Sequence, residues 1–230
     1  MSGVSPELKQ QVDRIAKLPH FRVEDTCTEA VTHVVCGLSN EDEQLAKMRS
    51  GKYLLGVASG KWIVSERWAF KCLEKGGPVS AEDYELSGDY KTPLRDAPRK
   101  ARIAHTTKTW AGLFCAHAFC LLGKFGKSTP PREQLLTMVY ANNATVFPTV
   151  EGLVDSPKPH KMVVFAGGGG AKEERELAKS MAKVKPDAGV SVLTPAWVVD
   201  SISSFRVLPT AGKDLASKEK GVPYLVNLES

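Results

Sequence analysis

The sequence has no apolar run near the roughly 20 residues that a bilayer-spanning helix needs, which excludes a transmembrane helix and a membrane role from the expectations. Cysteine is scarce: Cys27, Cys36, Cys72, Cys115 and Cys120 make an odd set of five with no Cys-x-x-Cys pair, which argues against a disulfide framework. Cys115, His117 and Cys120 crowd one segment, but a strand turns the first two to one face and Cys120 to the other. A structural zinc site wants about four converging ligands, so a buried strand with small residues is expected there, and no metal. There is no basic segment leading into an apolar stretch at the N-terminus; a secretory signal is therefore not expected, and a reduced intracellular compartment is.

Charge of one sign is also lacking. Lys and Arg number 31 against 26 Asp and Glu, and the net +5 favours anionic partners without defining a nucleic-acid surface. Catalytic patterns are missing too. Gly123-Lys-Phe-Gly126-Lys127-Ser128 ends like a phosphate-binding loop, but Leu121 stands where its first glycine belongs. The histidines at 20, 33, 105 and 160 show no nucleophile partner. Neither an enzyme nor a cofactor is expected.

What the sequence does have is an internal repeat. Val64-Ser65-Glu-Arg-Trp68 returns as Leu193-Thr194-Pro-Ala-Trp197, and His33-Val-Val35 as Met162-Val-Val164. Val34 and Val163, Val64 and Leu193, and Trp68 and Trp197 are each 129 positions apart, which fits a duplicated unit in a chain long enough for two domains of about 100 residues.

Periodicity predicts a helix after Ser5-Pro6 closed at Pro19, strands at 21–23, 32–36 and 62–64, a turn at 44–48, a helix over 52–58 capped by Ser50, and a helix over 66–75 halted by Gly76-Gly77-Pro78. From 87 to 108 the pattern lapses into prolines and charges, which reads as a linker. The second half predicts strands at 113–122, 145–147, 162–165 and 190–193. Between them it predicts a loop at 123–131, a helix bearing Leu135, Met138 and Val139, a loop at 167–170, a charged helix over 172–183 and a last helix over 195–205. Strands alternating with helices imply a small parallel sheet flanked by helices in each half.

Thr32-His-Val-Val35, Leu54-Leu-Gly-Val-Ala-Ser-Gly-Lys-Trp62, Ser65-x-x-Trp68 and Trp197-Val-Val-Asp200-Ser201 resemble the motifs of tandem BRCT repeats over about 2–209. The resemblance implies two α/β repeats, each with a parallel four-stranded sheet, packed head to tail. The first strand of repeat one is not visible ahead of Ser2-Gly3. The implied organisation is repeat 1 at 1–88, a linker at 89–108, repeat 2 at 109–210 and a flexible tail at 211–230.

Such pairs bind phosphoserine peptides, and the resemblance carries the phosphate onto Ser2, Gly3 and Lys52. The chemistry fits, because a lysine two residues after a helix cap adds a cation to an end already rich in unpaired N–H groups. The +3 residue of the peptide falls to Arg49, Leu54, Thr129, Pro130 and Val199, with an aromatic or apolar residue expected there. The implied setting is the nucleus and the DNA damage response, with a RING-containing partner engaged through regions outside this chain. No RING domain is visible in the sequence, so no ligase activity is assigned. A phosphate-independent scaffold on chromatin or DNA is the alternative, with the basic run from Arg95 to Arg102 as its candidate contact.

Overall fold

The computed structural model describes residues 1–39, 44–92, 96–107, 110–126, 129–167, 171–182, 184–185, 188–211 and 224–226. The chain divides into two compact units, unit 1 being Met1–Trp110 with Ser203–Phe205 and unit 2 being Ala111–Ile202 with Arg206–Ser230.

In unit 1 the β-branched stretch His33–Cys36 forms β1, and Leu45–Ala46 forms β2. The apolar Trp62–Ser65 forms β3, parallel to β1, with Val34 opposite Ile63 and Val35 opposite Val64. Gly88–Asp89 forms β4, parallel to β2. Two short helices, α1 (Pro6–Gln10) and α2 (Val12–Ala16), replace the single helix expected after Ser5; Gln11 ends one and precedes the other. Residues 21–23 form no strand. Helix α3 (Gly51–Ala58) is capped by Ser50, whose Oγ accepts Tyr53 N–H at 3.2 Å. Gly56 lets it close on the sheet, since a Cβ there would lie 2.7 Å from Ile63 and 2.8 Å from Val34. Helix α4 (Glu66–Lys75) buries Trp68, Ala69 and Cys72 and stops at Gly76, which takes the left-handed φ of 71° that a helix C-terminus favours.

The segment read as a linker holds α5 (Ala97–Thr106), which packs on α3 and β3 through Ala97, Pro98 and Ala101. Pro98 sits in the first turn, where its missing N–H costs nothing, so it starts a helix rather than breaking one. Arg102 fixes the helix: its guanidinium lies 3.5 Å from the Trp62 ring centroid and makes two 2.8 Å hydrogen bonds to Glu85.

Unit 2 is a four-stranded parallel sheet in the order β6-β5-β7-β8, made of β5 (His117–Gly123), β6 (Thr145–Phe147), β7 (His160–Ala166) and β8 (Val190–Leu193). Helix α6 (Arg132–Tyr140) buries Leu135, Met138 and Val139 as its periodicity predicts. Residues 113–116, expected in strand, form a turn before β5. A short helix, α7 (Val150–Val154), was not expected; Thr149 caps it by accepting Gly152 N–H. Helices α8 (Ala171–Met181) and α9 (Pro195–Ser203) follow β7 and β8.

Of the segment expected to be a flexible tail, 212–223 and 227–230 lie outside the described residues. Tyr224 is not loose: its ring is buried, its hydroxyl donates to Asp200 at 2.7 Å, and Leu225 bridges Leu193 of β8. Among the described residues no helix is long and apolar enough to cross a membrane, and no group of three or more His, Cys, Asp or Glu converges as metal ligands would.

The duplication extends to single hydrogen bonds. Val34 opposite Ile63 becomes Val163 opposite Val192 at the same spacing of 129. Trp68 Nε1–H donates to Val79 O at 3.0 Å and Trp197 Nε1–H to Leu208 O at 2.9 Å, again 129 apart at both ends.

Candidate phosphate site at the end of β1

Ser2 runs beside the C-terminal end of β1 as one rung of parallel strand. Its N–H donates to Val35 O at 2.8 Å, and its carbonyl accepts Gly37 N–H at 3.0 Å. This rung places Ser2 where unit 2 has Leu122, because Cys36 faces Ser2 as Phe165 faces Leu122 and the two partners are 129 apart. Gly3 then matches Gly123. Both turn the chain out of the sheet at positive φ, 59° and 92°, which a residue with a side chain resists.

Ser2 is buried, and its Oγ lies 2.5 Å from the Oγ of Ser50, the cap of α3. The strand end and the helix N-terminus therefore meet at two hydroxyls. The amides of Gly51 and Lys52 belong to the first turn, where a helix supplies no acceptor. Gly3 N–H likewise meets no acceptor among the described residues. Lys52 is half-buried in that first turn, so a cation, hydroxyls and unpaired N–H groups are gathered at one end of the sheet. The nearby Cys36 thiol is inert, since burial pushes its pKa up to about 12. Ser50 reads in the sequence as a cap alone, yet it is a member of this cluster. Its position two residues before Lys52 was the available signal.

The five residues assigned to the +3 pocket fall in both units. In unit 1, Arg49 is half-buried just ahead of α3, and Leu54 lies inside α3 at 2% exposure. In unit 2, Thr129 accepts Gly126 N–H at 3.1 Å, Pro130 precedes α6, and Val199 lies on α9 at 7% exposure. Arginine at Leu54 or Val199 would bury a charge, so neither substitution is a clean probe of peptide contact. Within the basic run, Arg95 lies outside the described residues, and Arg102 is engaged by Glu85 and Trp62. Lys127 and Ser128 of the glycine loop also lie outside the described residues.

No family model matches the chain. It is 26% identical over 213 residues to the breast cancer type 1 susceptibility protein homolog of Mus musculus, an alignment covering 90% of this chain and 11% of that protein. It is 26% identical over 227 residues to BRCA1-associated RING domain protein 1 of Arabidopsis thaliana, covering 92% of this chain and 31% of that protein. The chain thus spans under a third of either relative. Among solved structures, Rtt107p in its complex with a phosphorylated histone superimposes with a TM-score of 0.53 at 14% identity, covering 86% of this chain and 80% of that one. Both units have the BRCT fold, and the chain is similar over nearly its whole length to BRCT pairs of the breast cancer susceptibility type.

Proposed function

We propose that this chain is a phosphoserine-peptide-binding module that recruits phosphorylated partners in the nucleus during the DNA damage response. The observation that carries the reading is the junction of Ser2, Gly3, Ser50 and Lys52 at one strand end. A phosphate dianion there takes the Ser2 hydroxyl and the Gly3 N–H as donors and Lys52 as its counter-charge. Hydrogen bonds to charged groups are worth about 1.5 to 3 kcal/mol each, so removing the phosphate weakens binding tenfold or more.

The relatives support this reading, as does the likeness in fold to Rtt107p in its complex with a phosphorylated histone. Specificity belongs to the residue three places after the phosphoserine, taken as aromatic or apolar and read by Arg49, Leu54, Thr129, Pro130 and Val199. A RING-containing partner is engaged through regions outside this chain. The rival scaffold reading loses part of its candidate surface, because the Arg102 guanidinium is already committed to Glu85 and Trp62.

Fluorescence anisotropy with a labelled phosphoserine peptide carrying Phe at +3 tests both levels. The unphosphorylated twin is expected to bind at least tenfold more weakly, and an Ala +3 version severalfold more weakly. Equal binding of the phosphorylated and unphosphorylated forms would favour the scaffold reading.

A further inference from the structure

Met48 leaves half of its surface in solvent, at 50% exposure. A single exposed apolar residue is ordinary on a protein surface, so its place decides whether it has a role. A Cβ added at Gly3 would meet three Met48 atoms first, Cγ and Sδ at 3.0 Å and Cβ at 3.2 Å. The thioether therefore lies across the Cα of the glycine at the candidate phosphate site, in the space that a side chain at position 3 would take. The equivalent glycine of unit 2 is covered differently. At Gly123 the added atom would meet Ala166 O at 2.3 Å and its carbonyl carbon at 3.0 Å, with the Phe165 ring third at 3.3 Å. Backbone closes over one glycine, and a solvent-exposed side chain over the other.

The main chain around Met48 is held on both sides. Lys47 N–H donates to Gly37 O at 2.8 Å, and Gly37 N–H in turn donates to Ser2 O at 3.0 Å. Ala46 is fully buried and pairs with Asp89 of β4. Two residues beyond Met48, Ser50 caps α3 and its Oγ meets that of Ser2. The backbone thus fixes where Met48 stands, while its unbranched side chain, with three rotatable bonds and a polarizable sulfur, can adapt to what lands on it. Covering that surface with an apolar group is favourable, whereas a small polar group gains nothing there.

We propose that Met48 is a specificity residue of the phosphate site, taking a large apolar side chain from the residue directly before or directly after the phosphoserine. The proposal rests on the phosphopeptide reading and adds a selected position beside the phosphate to the one three places on. Reach sets that position. With the phosphate on Gly3 N–H, consecutive Cα atoms about 3.8 Å apart bring the side chains of the immediate neighbours over Gly3, where the thioether lies. The contact lies within unit 1 and uses none of the residues assigned to the +3 pocket.

The test is calorimetry on the full chain with three phosphoserine peptides that share Phe at +3 and differ beside the phosphoserine: alanine on both sides, leucine before it, or leucine after it. In the parent at least one leucine peptide is expected to bind about threefold or more tighter than the alanine peptide, a gain of the size that burying a single methylene gives. Met48→Ser should bring that gain to near unity and leave the affinity for the alanine peptide nearly unchanged, whereas a merely structural role would weaken all three peptides alike. Met48→Leu, which keeps an apolar group over Gly3, should preserve the gain. The alanine peptide with and without its phosphate separates the two levels: equal binding of that pair by the parent sinks the phosphopeptide reading and this proposal with it. A phosphate preference kept without any leucine gain in the parent, or a gain that survives in Met48→Ser or vanishes in Met48→Leu, would overturn the proposal alone.

Discussion

The two units share a strand register, a tryptophan anchor and a glycine turn at the strand end, yet they differ in what stands before that glycine. Unit 1 has Ser2, hydrogen-bonded to the cap of α3, where unit 2 has Leu122 continuing a buried strand. The same backbone geometry thus presents a hydroxyl in one unit and an aliphatic side chain in the other. The units also differ in how their cores close: unit 2 is sealed by β5, whereas unit 1 leaves its tryptophan beside a cavity.

That contrast can be broken first at the tryptophans. Trp197→Ala removes a side chain with no exposure and a hydrogen bond to Leu208, and should cost about 5 kcal/mol, the high end for a buried tryptophan. Trp68→Ala, at 6% exposure and beside the cavity, should cost about 3 kcal/mol, the low end of that range. Urea unfolding of the two variants checks the order, and an equal or reversed cost would show that β5 adds nothing to the seal.

Acid should act on unit 2 through His117. Burial, and then the neighbouring His160, hold its pKa at about 4 against an ordinary 6.5. Because the unfolded chain takes up the proton first, stability is intact above pH 6.5 and is lost as pH falls toward 4, by about 3 kcal/mol. His33 and His105 in unit 1 are shifted down as well, mainly by burial, so the comparison is with His117→Leu. That variant should lose distinctly less stability than the parent between pH 7.5 and 4.5, about one unit above and two below the ordinary histidine value, in denaturant titrations.

Helix α5 has no counterpart among the described residues of unit 2, and Arg102 is its clamp. Arg102→Ala leaves Glu85 poorly exposed and unpaired and should lower stability by about 2 to 3 kcal/mol. Arg102→Lys should restore less than half, since lysine lacks both the bidentate fork and the flat face that lies on Trp62. Thermal melts of the two variants decide this.

Much of this was legible beforehand. The 129-residue repeat survives as strand register and as two indole hydrogen bonds, because a buried tryptophan after a capped helix start leaves little freedom. Residues 97–106 were illegible as a helix because the buried side is built from Ala97, Pro98 and Ala101, too small to raise a periodic signal. Helix α7 is only five residues long and contains Gly152, while β2 and β4 are two residues each, below any window in which alternation shows. The cluster at Ser2, Gly3 and Lys52 was legible through a family likeness, not periodicity. The tie from Ser2 to Ser50 bridges 48 positions and needed coordinates.

The smallest change in stability should accompany the largest change in function. Lys52→Met removes a half-buried lysine from the first turn of α3 and should shift stability by less than about 0.5 kcal/mol, as substitutions outside the core generally do. Calorimetric titration of parent and Lys52→Met with one peptide, phosphorylated and unphosphorylated, is the most direct test. A tenfold or greater preference for the phosphoserine form is expected in the parent, and a preference that collapses to near unity in Lys52→Met while the melting temperature holds. A parent that binds both forms equally, or a Lys52→Met protein that keeps the full preference, would contradict it.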